Sequence, residues 1–230
     1  MSDPQQRWSA VDAFVNEQIV GEDEAMRAAA TAATDAGLPW IAVTPAQGKL
    51  LFLLTRITGA RRVLELGTLG GYSTIWIARA LPPDGSIVSL ELEEDFARVA
   101  RANIDRAGVG AKVEIRVGRA LDSLRDIAER GEGPYDLAFL DADKQTTPQY
   151  FTAVLALMRE GGLMVFDNTV RGGEVANADS DDAGALGMRR THELLAAEPR
   201  VSATTIQTVG DKGYDGFTLA LLDTPPGDGA

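Results

Sequence analysis

The chain has 230 residues and a mass of 24.4 kDa, a length that favours a single α/β domain with a well-filled core. The absence of cysteine excludes disulfides, thiolate nucleophiles and Cys-based zinc sites, and the single histidine excludes a multi-histidine metal site. The net charge of −12 disfavours extended contact with phosphate backbones, so we expect a small-molecule partner and no nucleic acid.

Residues 1–60 are predicted to form a helical N-terminal extension. The Ala-rich stretch Glu22–Ala36 predicts one helix. A clearer one begins at Thr44, which can cap the helix, with Pro45 in the first turn and Gln47 completing a capping box. The apolar residues that follow repeat at helical spacing: Leu50, Leu51, Leu54 and Ile57.

From Arg62 onward, short apolar runs alternate with amphipathic helices, a pattern typical of a parallel sheet covered by helices on both faces. The first five predicted strands are Val63–Leu66, Ser86–Glu91, Val113–Val117, Leu137–Leu140 and Leu163–Phe166. The last two contain no polar residue, which indicates central strands. A helical apolar stripe lies between the second and third strands and is formed by Phe96, Val99, Ala100, Ile104 and Ala107.

The C-terminal part is predicted to close the sheet with a hairpin. A helix near Leu186–Ala197 is followed by strands at Val201–Val209 and Phe217–Leu222, with no crossover helix between them. Such strands pair antiparallel, joined here by the turn Gly210–Gly216, and residues 224–230 are expected to be a flexible tail.

The predicted fold is therefore a single α/β domain over residues 1–230. It is Rossmann-like and doubly wound, with a mostly parallel seven-stranded sheet, a C-terminal antiparallel hairpin and extra N-terminal helices. No apolar run approaches the about 20 residues of a spanning helix, and Met1–Trp8 lacks the features of a secretory signal. We expect a cytoplasmic protein with no membrane partner.

A glycine-rich turn follows the first strand at Glu65–Gly71 and leads into a helix near Ser73. Glycines in such a turn allow close approach of a ligand, but dinucleotide enzymes use a related turn. Glu91 ends the second strand 24 residues after Gly67, a position that suits an acid bound to ribose hydroxyls and fits NAD as well. Glu65 beside the turn disfavours a pyrophosphate and favours S-adenosylmethionine, which has no phosphate and carries two positive charges.

A second cluster of polar residues follows the fourth and fifth strands. Asp141 and Lys144 come after the fourth strand, and Asp167 and Asn168 come at the end of the fifth. If these strands are neighbours, about 4.8 Å apart, their ends bring Asp141, Asp167 and Asn168 together. Three oxygen ligands without sulfur or imidazole suit a hard cation such as Mg²⁺, Mn²⁺ or Ca²⁺.

With these motifs the sequence resembles the cation-dependent O-methyltransferase family of the catechol and caffeoyl-CoA type. The resemblance covers about Ile41 to Leu222. It is carried by Val43–Gly48, Glu65–Ser73, Glu91, Asp141–Lys144, Asp167–Asn168 and Gly216–Leu221. The chain departs from the family pattern in a longer Gly210–Gly216 link, in Gln145–Gln149 and in Arg119.

The resemblance implies a role for each matching residue. It implies that the S-adenosylmethionine site is lined by Val43, Glu65, Gly67, Thr68, Ser73, Glu91 and Ala120, with Asp141 close to it. It implies that Asp141, Asp167 and Asn168 bind the metal, and that Lys144 lies beside the acceptor hydroxyl, so Lys144 and Asp141 are the candidate catalytic residues. The expected acceptor is a small phenolic molecule with vicinal hydroxyls, and the expected assembly is a homodimer. Trp40 and the loop Val170–Gly173 are candidates for the acceptor pocket.

Three other functions stay open at this stage. An NAD(P)-linked reductase on a Rossmann sheet would bind a dinucleotide despite Glu65. A non-catalytic protein that senses S-adenosylmethionine or metal would share the same fold. A nucleic-acid methyltransferase is disfavoured by the negative charge and by the lack of a recognition module.

Overall fold

The computed structural model describes residues 3–223, so the predicted flexible tail at 224–230 lies outside the described residues. The α-helices are α1 (Pro4–Val15), α2 (Glu24–Asp35), α3 (Pro45–Ile57), α4 (Tyr72–Ala80), α5 (Glu94–Arg106), α6 (Ala120–Glu129), α7 (Thr147–Leu155) and α8 (Ala183–Ala197). The strands are β1 (Arg62–Leu66), β2 (Ser86–Glu91), β3 (Val113–Val117), β4 (Tyr135–Leu140), β5 (Met158–Asp167), β6 (Val201–Gly210) and β7 (Gly213–Leu222). Short π or 3₁₀ turns lie at Asn16–Val20, Gly110–Lys112, Lys144–Thr146 and Arg171–Ala176.

The chain divides into two compact units. The first contains the described residues as far as Ala120 together with Gly210–Gly213, and the second contains Leu121–Val209 and the described residues from Tyr214 onward. The prediction of a single domain over residues 1–230 stays a prediction.

The first unit holds the parallel strands β1, β2 and β3, with β2 paired to both of its neighbours. The predicted capping box at the start of α3 is confirmed. The Thr44 side chain accepts from the Gln47 amide at 3.3 Å, and the Gln47 side chain accepts from the Thr44 amide at 2.9 Å. The predicted helical extension over residues 1–60 forms as α1, α2 and α3.

Helices α3 and α4 approach each other closely at Gly48. A Cβ atom on Gly48 would lie 2.3 Å from Cδ1 of Trp76, whose side chain is buried. We therefore expect Gly48→Ala to destabilise the protein by about 1–3 kcal/mol through overpacking, which exceeds the gain of up to about 1 kcal/mol in helix propensity. Thermal unfolding measures the loss. Adding Trp76→Phe should recover part of it, and an unchanged melting temperature in the single variant would contradict this packing.

The second unit holds strands β4 and β5, which run parallel with Leu140 opposite Phe166. Strand β5 also pairs antiparallel with β7 through Phe166 and Thr218. Residues 137–140 and 163–166 are all buried, as predicted for strands covered on both faces. The ends of β4 and β5 therefore lie side by side. The predicted clustering of Asp141, Asp167 and Asn168 required this arrangement.

The sheet has seven strands in the order β3-β2-β1-β4-β5-β7-β6, which confirms the predicted mostly parallel, doubly wound sheet with a C-terminal hairpin. The prediction of a long Gly210–Gly216 link was wrong. Strand β6 continues to Gly210 and β7 begins at Gly213, so only Asp211 and Lys212 form the turn. Gly213, with φ of 93°, adopts the left-handed conformation that a short hairpin connection needs.

The hairpin turn contacts the N-terminal helix within the first unit. Gln5 of α1 donates to the carbonyl of Gly210 at 3.0 Å, and Asp12 accepts from the Asp211 amide at 2.7 Å. Among residues 3–223, no helix is long and apolar enough to span a bilayer.

Candidate active site

The loop Gly67–Gly71, here called the donor loop, connects β1 to α4 in a conformation that needs glycine. Gly67 and Gly71 have φ of 96° and 81°, in the left-handed region that glycine occupies without strain. A Cβ on Gly71 would lie 3.3 Å from Ala100 and Ile104 of α5. The donor loop therefore turns tightly, as the sequence pattern predicted, and it also packs closely on α5.

Glu65, the predicted acidic wall of the donor site, is completely buried at the end of β1. Its carboxylate accepts hydrogen bonds from three hydroxyls, those of Ser73 at 2.6 Å, Thr74 at 2.5 Å and Ser89 at 2.6 Å. A buried carboxylate needs such donors, because an unsatisfied charge is costly in a low-dielectric interior. The carboxylate is thus fixed in position beside the donor loop, and the predicted residues Glu65 and Ser73 are in direct contact.

Glu91, the predicted ribose ligand, supports the donor loop through its carboxylate. One oxygen accepts from the amides of Thr68 at 3.1 Å and Leu69 at 2.7 Å, and the other accepts from the Glu93 amide at 3.0 Å. The Thr68 hydroxyl in turn lies 2.6 Å from the Ser89 hydroxyl, which donates to Glu65. One hydrogen-bonded network therefore joins Glu65, Thr68, Ser73 and Glu91.

Two further residues predicted to line the donor site lie at the edges of this network. Val43 is buried in the segment that precedes the Thr44 cap of α3. Ala120 is the first residue of α6, two positions after Gly118, whose amide donates to the Glu91 carbonyl at 2.8 Å. Their contact with a donor molecule stays a prediction.

In the second unit, Asp141, Asp167 and Asn168, here called the acidic cluster, lie at the ends of β4 and β5. Asp141 follows Leu140, which is paired with Phe166, the residue before Asp167. Asp167 is only 7% exposed. Burial, and then the negative charge of Asp141, raise the pKa of Asp167 to about 7, while the charge of Lys144 opposes this shift. The two carboxylates are therefore close enough to repel each other.

Lys144 forms an ion pair with Asp141, with 2.6 Å between Nζ and the carboxylate oxygen. Both side chains are largely enclosed, at 11% and 19% exposure. Asp143 is exposed and accepts from the Thr146 amide at 3.1 Å and from the Tyr150 hydroxyl at 2.6 Å. Asp143 therefore stabilises the turn that carries Lys144.

The side chains of the acidic cluster fit a hard divalent cation. Two carboxylates and an amide are oxygen donors, and a cation would relieve the repulsion between Asp141 and Asp167. Asn168 has φ of 53°, a left-handed conformation that asparagine tolerates better than most residues. Within residues 3–223, no group of three or more His, Asp or Glu side chains is arranged to hold a metal ion, so the amide of Asn168 is essential to the predicted ligand set.

The sequence prediction missed two residues that hold the donor loop and the segment after the acidic cluster in place. Asn103 of α5 is buried and donates to the Gly70 carbonyl at 2.9 Å. The sequence did contain a signal for Asn103, because it is a polar residue within an apolar helical stripe. Asp215 accepts from the amides of Val170 at 3.1 Å and Arg171 at 2.9 Å, just after the acidic cluster. Nothing in the sequence pattern distinguishes Asp215 from an ordinary turn residue.

A family model described as O-methyltransferase matches residues 16–221, most of the chain. A catechol O-methyltransferase from Mycobacterium tuberculosis is 50% identical over 212 residues, covering 92% of this chain and 94% of the relative. The solved structure of the O-methyltransferase TomG from Streptomyces achromogenes, involved in tomaymycin synthesis and in complex with S-adenosylmethionine (SAM), is 52% identical with a TM-score of 0.93, covering 96% of this chain and all of TomG. An O-methyltransferase from Bacillus cereus in complex with S-adenosylhomocysteine (SAH) is 49% identical with a TM-score of 0.94, covering 95% of this chain and all of that one.

The fold, the donor loop and these similarities define the class of protein. The chain belongs to the O-methyltransferase family. It is an O-methyltransferase that uses S-adenosylmethionine, as the resemblance implied, and the alternative of an NAD(P)-linked reductase was wrong.

Proposed function

We propose that the protein is a divalent-metal-dependent O-methyltransferase that methylates one of two vicinal hydroxyls of a catechol-like small molecule. The observation that carries this proposal is the acidic cluster, in which two partly or fully enclosed carboxylates and an asparagine follow paired strands. The similarity to a catechol O-methyltransferase over 92% of the chain supports the same class of acceptor.

In this proposal the first unit binds the donor. The residues proposed to line the S-adenosylmethionine site are Val43, Glu65, Gly67, Thr68, Ser73, Glu91 and Ala120. The buried carboxylate of Glu65 supplies fixed negative charge that favours a cationic donor. Because Glu91 already accepts from the donor-loop amides, ribose hydroxyls would share its carboxylate with the loop. Donor binding therefore depends on the same network that shapes the loop.

Asp141, Asp167 and Asn168 would hold the cation, with Mg²⁺ the first candidate and Mn²⁺ or Ca²⁺ as alternatives. When bound, such a cation lowers the pKa of a coordinated hydroxyl and so favours its oxyanion. A free phenol titrates near 10, so at neutral pH it needs this help to become a nucleophile.

Lys144 is proposed to receive the proton of the reacting hydroxyl. The hydroxyl oxygen attacks the methyl carbon of the donor, the carbon–sulfur bond breaks, and the electron pair stays on the sulfur of S-adenosylhomocysteine. Lys144 in its neutral form takes up the released proton at Nζ. The contact with Asp141 holds that nitrogen at the acidic cluster, and the positive charges of a bound cation and of the donor would favour its neutral form.

Removal of divalent metal tests the proposal directly. We expect a chelator to abolish transfer of a labelled methyl group from S-adenosylmethionine to dihydroxylated aromatic compounds, and added Mg²⁺ to restore it. Calorimetric binding of S-adenosylhomocysteine serves as the control, because the network around Glu65 contains no proposed metal ligand. Full transfer activity in the presence of chelator would reject the role of the metal.

We also infer that the protein acts in the cytoplasm and that it forms a homodimer, the latter as the family resemblance implies. Phe14 of α1 is 63% exposed and Ile57 of α3 is 78% exposed, and self-association would bury such apolar side chains. Light scattering at micromolar concentration measures the mass, and a monomer under these conditions would contradict the inference.

A further inference from the structure

Arg171 adopts a backbone conformation that is unusual for a residue with a long side chain. Its φ is 56°, and Gly172 and Gly173 continue in the left-handed region with φ of 63° and 99°. The Asp215 carboxylate holds this strand-to-helix segment by accepting from the amides of Val170 and Arg171. Left-handed non-glycine residues cost about 1–3 kcal/mol and cluster at active sites and ligand clamps, where surrounding contacts enforce them.

The guanidinium of Arg171 has hydrogen-bonding capacity that the described residues do not fill. Its Nε atom is buried without a hydrogen-bond partner, while the side chain as a whole is one-third exposed. The carboxylate of Asp182 lies 3.8 Å from Nη2, within reach of an ion pair but too far for a hydrogen bond. Because Nε is buried, a planar carboxylate from outside would meet the two Nη atoms, which can donate two parallel hydrogen bonds to it.

Helix α8 brings Arg171 close to the turn that carries Lys144. A Cβ on Gly184 would lie 3.2 Å from Nε and Nη2 of Arg171, and a Cβ on Gly187 would lie 2.2 Å from the Lys144 carbonyl. Residues three apart share one face of a helix and differ by about 4.5 Å along its axis. The Arg171 guanidinium and the Lys144 turn therefore pack against neighbouring positions of one glycine-lined face of α8.

Arg171 is also close along the chain to a proposed metal ligand. It follows Asn168 by three residues, so their Cα atoms are at most about 11 Å apart. An acceptor bound at the acidic cluster through vicinal hydroxyls projects the rest of its ring away from the cation. A substituent on that ring is thus within the range of a long arginine side chain.

From this juxtaposition we propose that Arg171 binds a carboxylate on the acceptor, so that the preferred substrates are catechols bearing an acid group, such as dihydroxybenzoates or dihydroxycinnamates. This inference rests on the proposed function. The carboxylate meets the exposed end of the guanidinium and replaces the distant Asp182 as its counter-ion. Arg171 then determines specificity, whereas the acidic cluster and Lys144 serve the reaction itself.

The test compares 3,4-dihydroxybenzoate with its methyl ester, which keeps the ring and both hydroxyls but has no charge. We expect the wild-type enzyme to methylate the acid with kcat/KM at least about tenfold higher than the ester, since a charge-assisted hydrogen bond contributes to binding. Arg171→Gln should lower kcat/KM for the acid by about 10- to 100-fold, mainly through KM, and leave the ester unchanged. Arg190→Gln, on the surface of α8 and paired with Glu193, is the control and should change neither substrate.

Two results would overturn the proposal. The first is a wild-type enzyme that does not prefer the acid, and the second is an Arg171→Gln variant that loses activity equally on both substrates. Arg171→Lys, which keeps the charge but not the planar fork, should retain part of the preference, and it replaces the glutamine variant if that fails to fold. Failure of the wild type to methylate any catechol, with S-adenosylhomocysteine still bound, would instead reject the proposed function.

Discussion

Asp167→Asn is expected to lower turnover by at least about 100-fold and to eliminate measurable Mg²⁺ or Mn²⁺ binding, with little change in affinity for S-adenosylhomocysteine. Asparagine keeps the shape and the oxygen that accepts from the Asn168 amide at 2.8 Å, but it removes one of two anionic ligands. Residues that only orient metal ligands already change metal affinity or activity about 10- to 100-fold, so loss of a ligand should do more. Titration calorimetry and turnover at saturating donor measure the two effects.

The same variant should be at least as stable as the wild type when both are free of metal. Burial and the nearby Asp141 raise the pKa of Asp167 to about 7, above the value of about 3.9 for an unfolded aspartate. The folded wild type therefore binds more protons than the unfolded chain between these values, and its stability falls as pH rises through them. Asparagine removes this loss, so the advantage of the variant in melting temperature should be larger at pH 8 than at pH 5.

Asp136→Asn provides the matched control for a lost carboxylate. Asp136 lies near the start of β4, at the other end of the strand from Asp141, and is paired with Arg159 at 2.6 Å. This variant should leave metal affinity unchanged. Normal metal affinity and turnover in Asp167→Asn would show that the cation, if one is needed, binds elsewhere.

Lys144→Met should lower kcat by about 10²- to 10⁴-fold, the usual contribution of a positioned acid or base, without weakening donor binding. Methionine keeps much of the enclosed aliphatic stem, and Lys144 is only 11% exposed, so the variant isolates the loss of the amine. Metal affinity should stay the same or rise, because the Lys144 ammonium no longer occupies the Asp141 carboxylate. Single-turnover measurements separate the chemical step from donor and acceptor binding.

Lys144→Arg distinguishes proton transfer from electrostatic support. Arginine keeps the positive charge but does not lose its proton at any working pH, so it cannot serve as a base. We expect this variant to be as impaired as Lys144→Met. Recovery of turnover by arginine would mean that Lys144 acts through its charge alone, and an unaltered kcat in both variants would remove it from the mechanism.

Much of the fold could be predicted because it depends on local sequence patterns. The apolar runs Leu137–Leu140 and Leu163–Phe166 are buried strands, and the Thr44 capping box forms as expected. The same patterns located the donor loop and the acidic residues at strand ends, since parallel strands present their carboxyl ends at one edge of a sheet. The hairpin was predicted correctly, but its turn was predicted to be too long. Gly213–Gly216 has the composition of a loop, yet these residues belong to strand β7.

The sequence by itself determined the family, the sheet and the residue types at the donor loop and acidic cluster, because each depends on periodicity or on a short motif. Only the tertiary structure decided how those residues are held. The three hydroxyls on Glu65, the Asp215 bonds to the Arg171 segment and the glycine face of α8 all join residues of different secondary-structure elements. Packing and hydrogen-bond geometry between distant segments have no local signature, which is why the supporting contacts, and the candidate role of Arg171, appeared only in the folded chain.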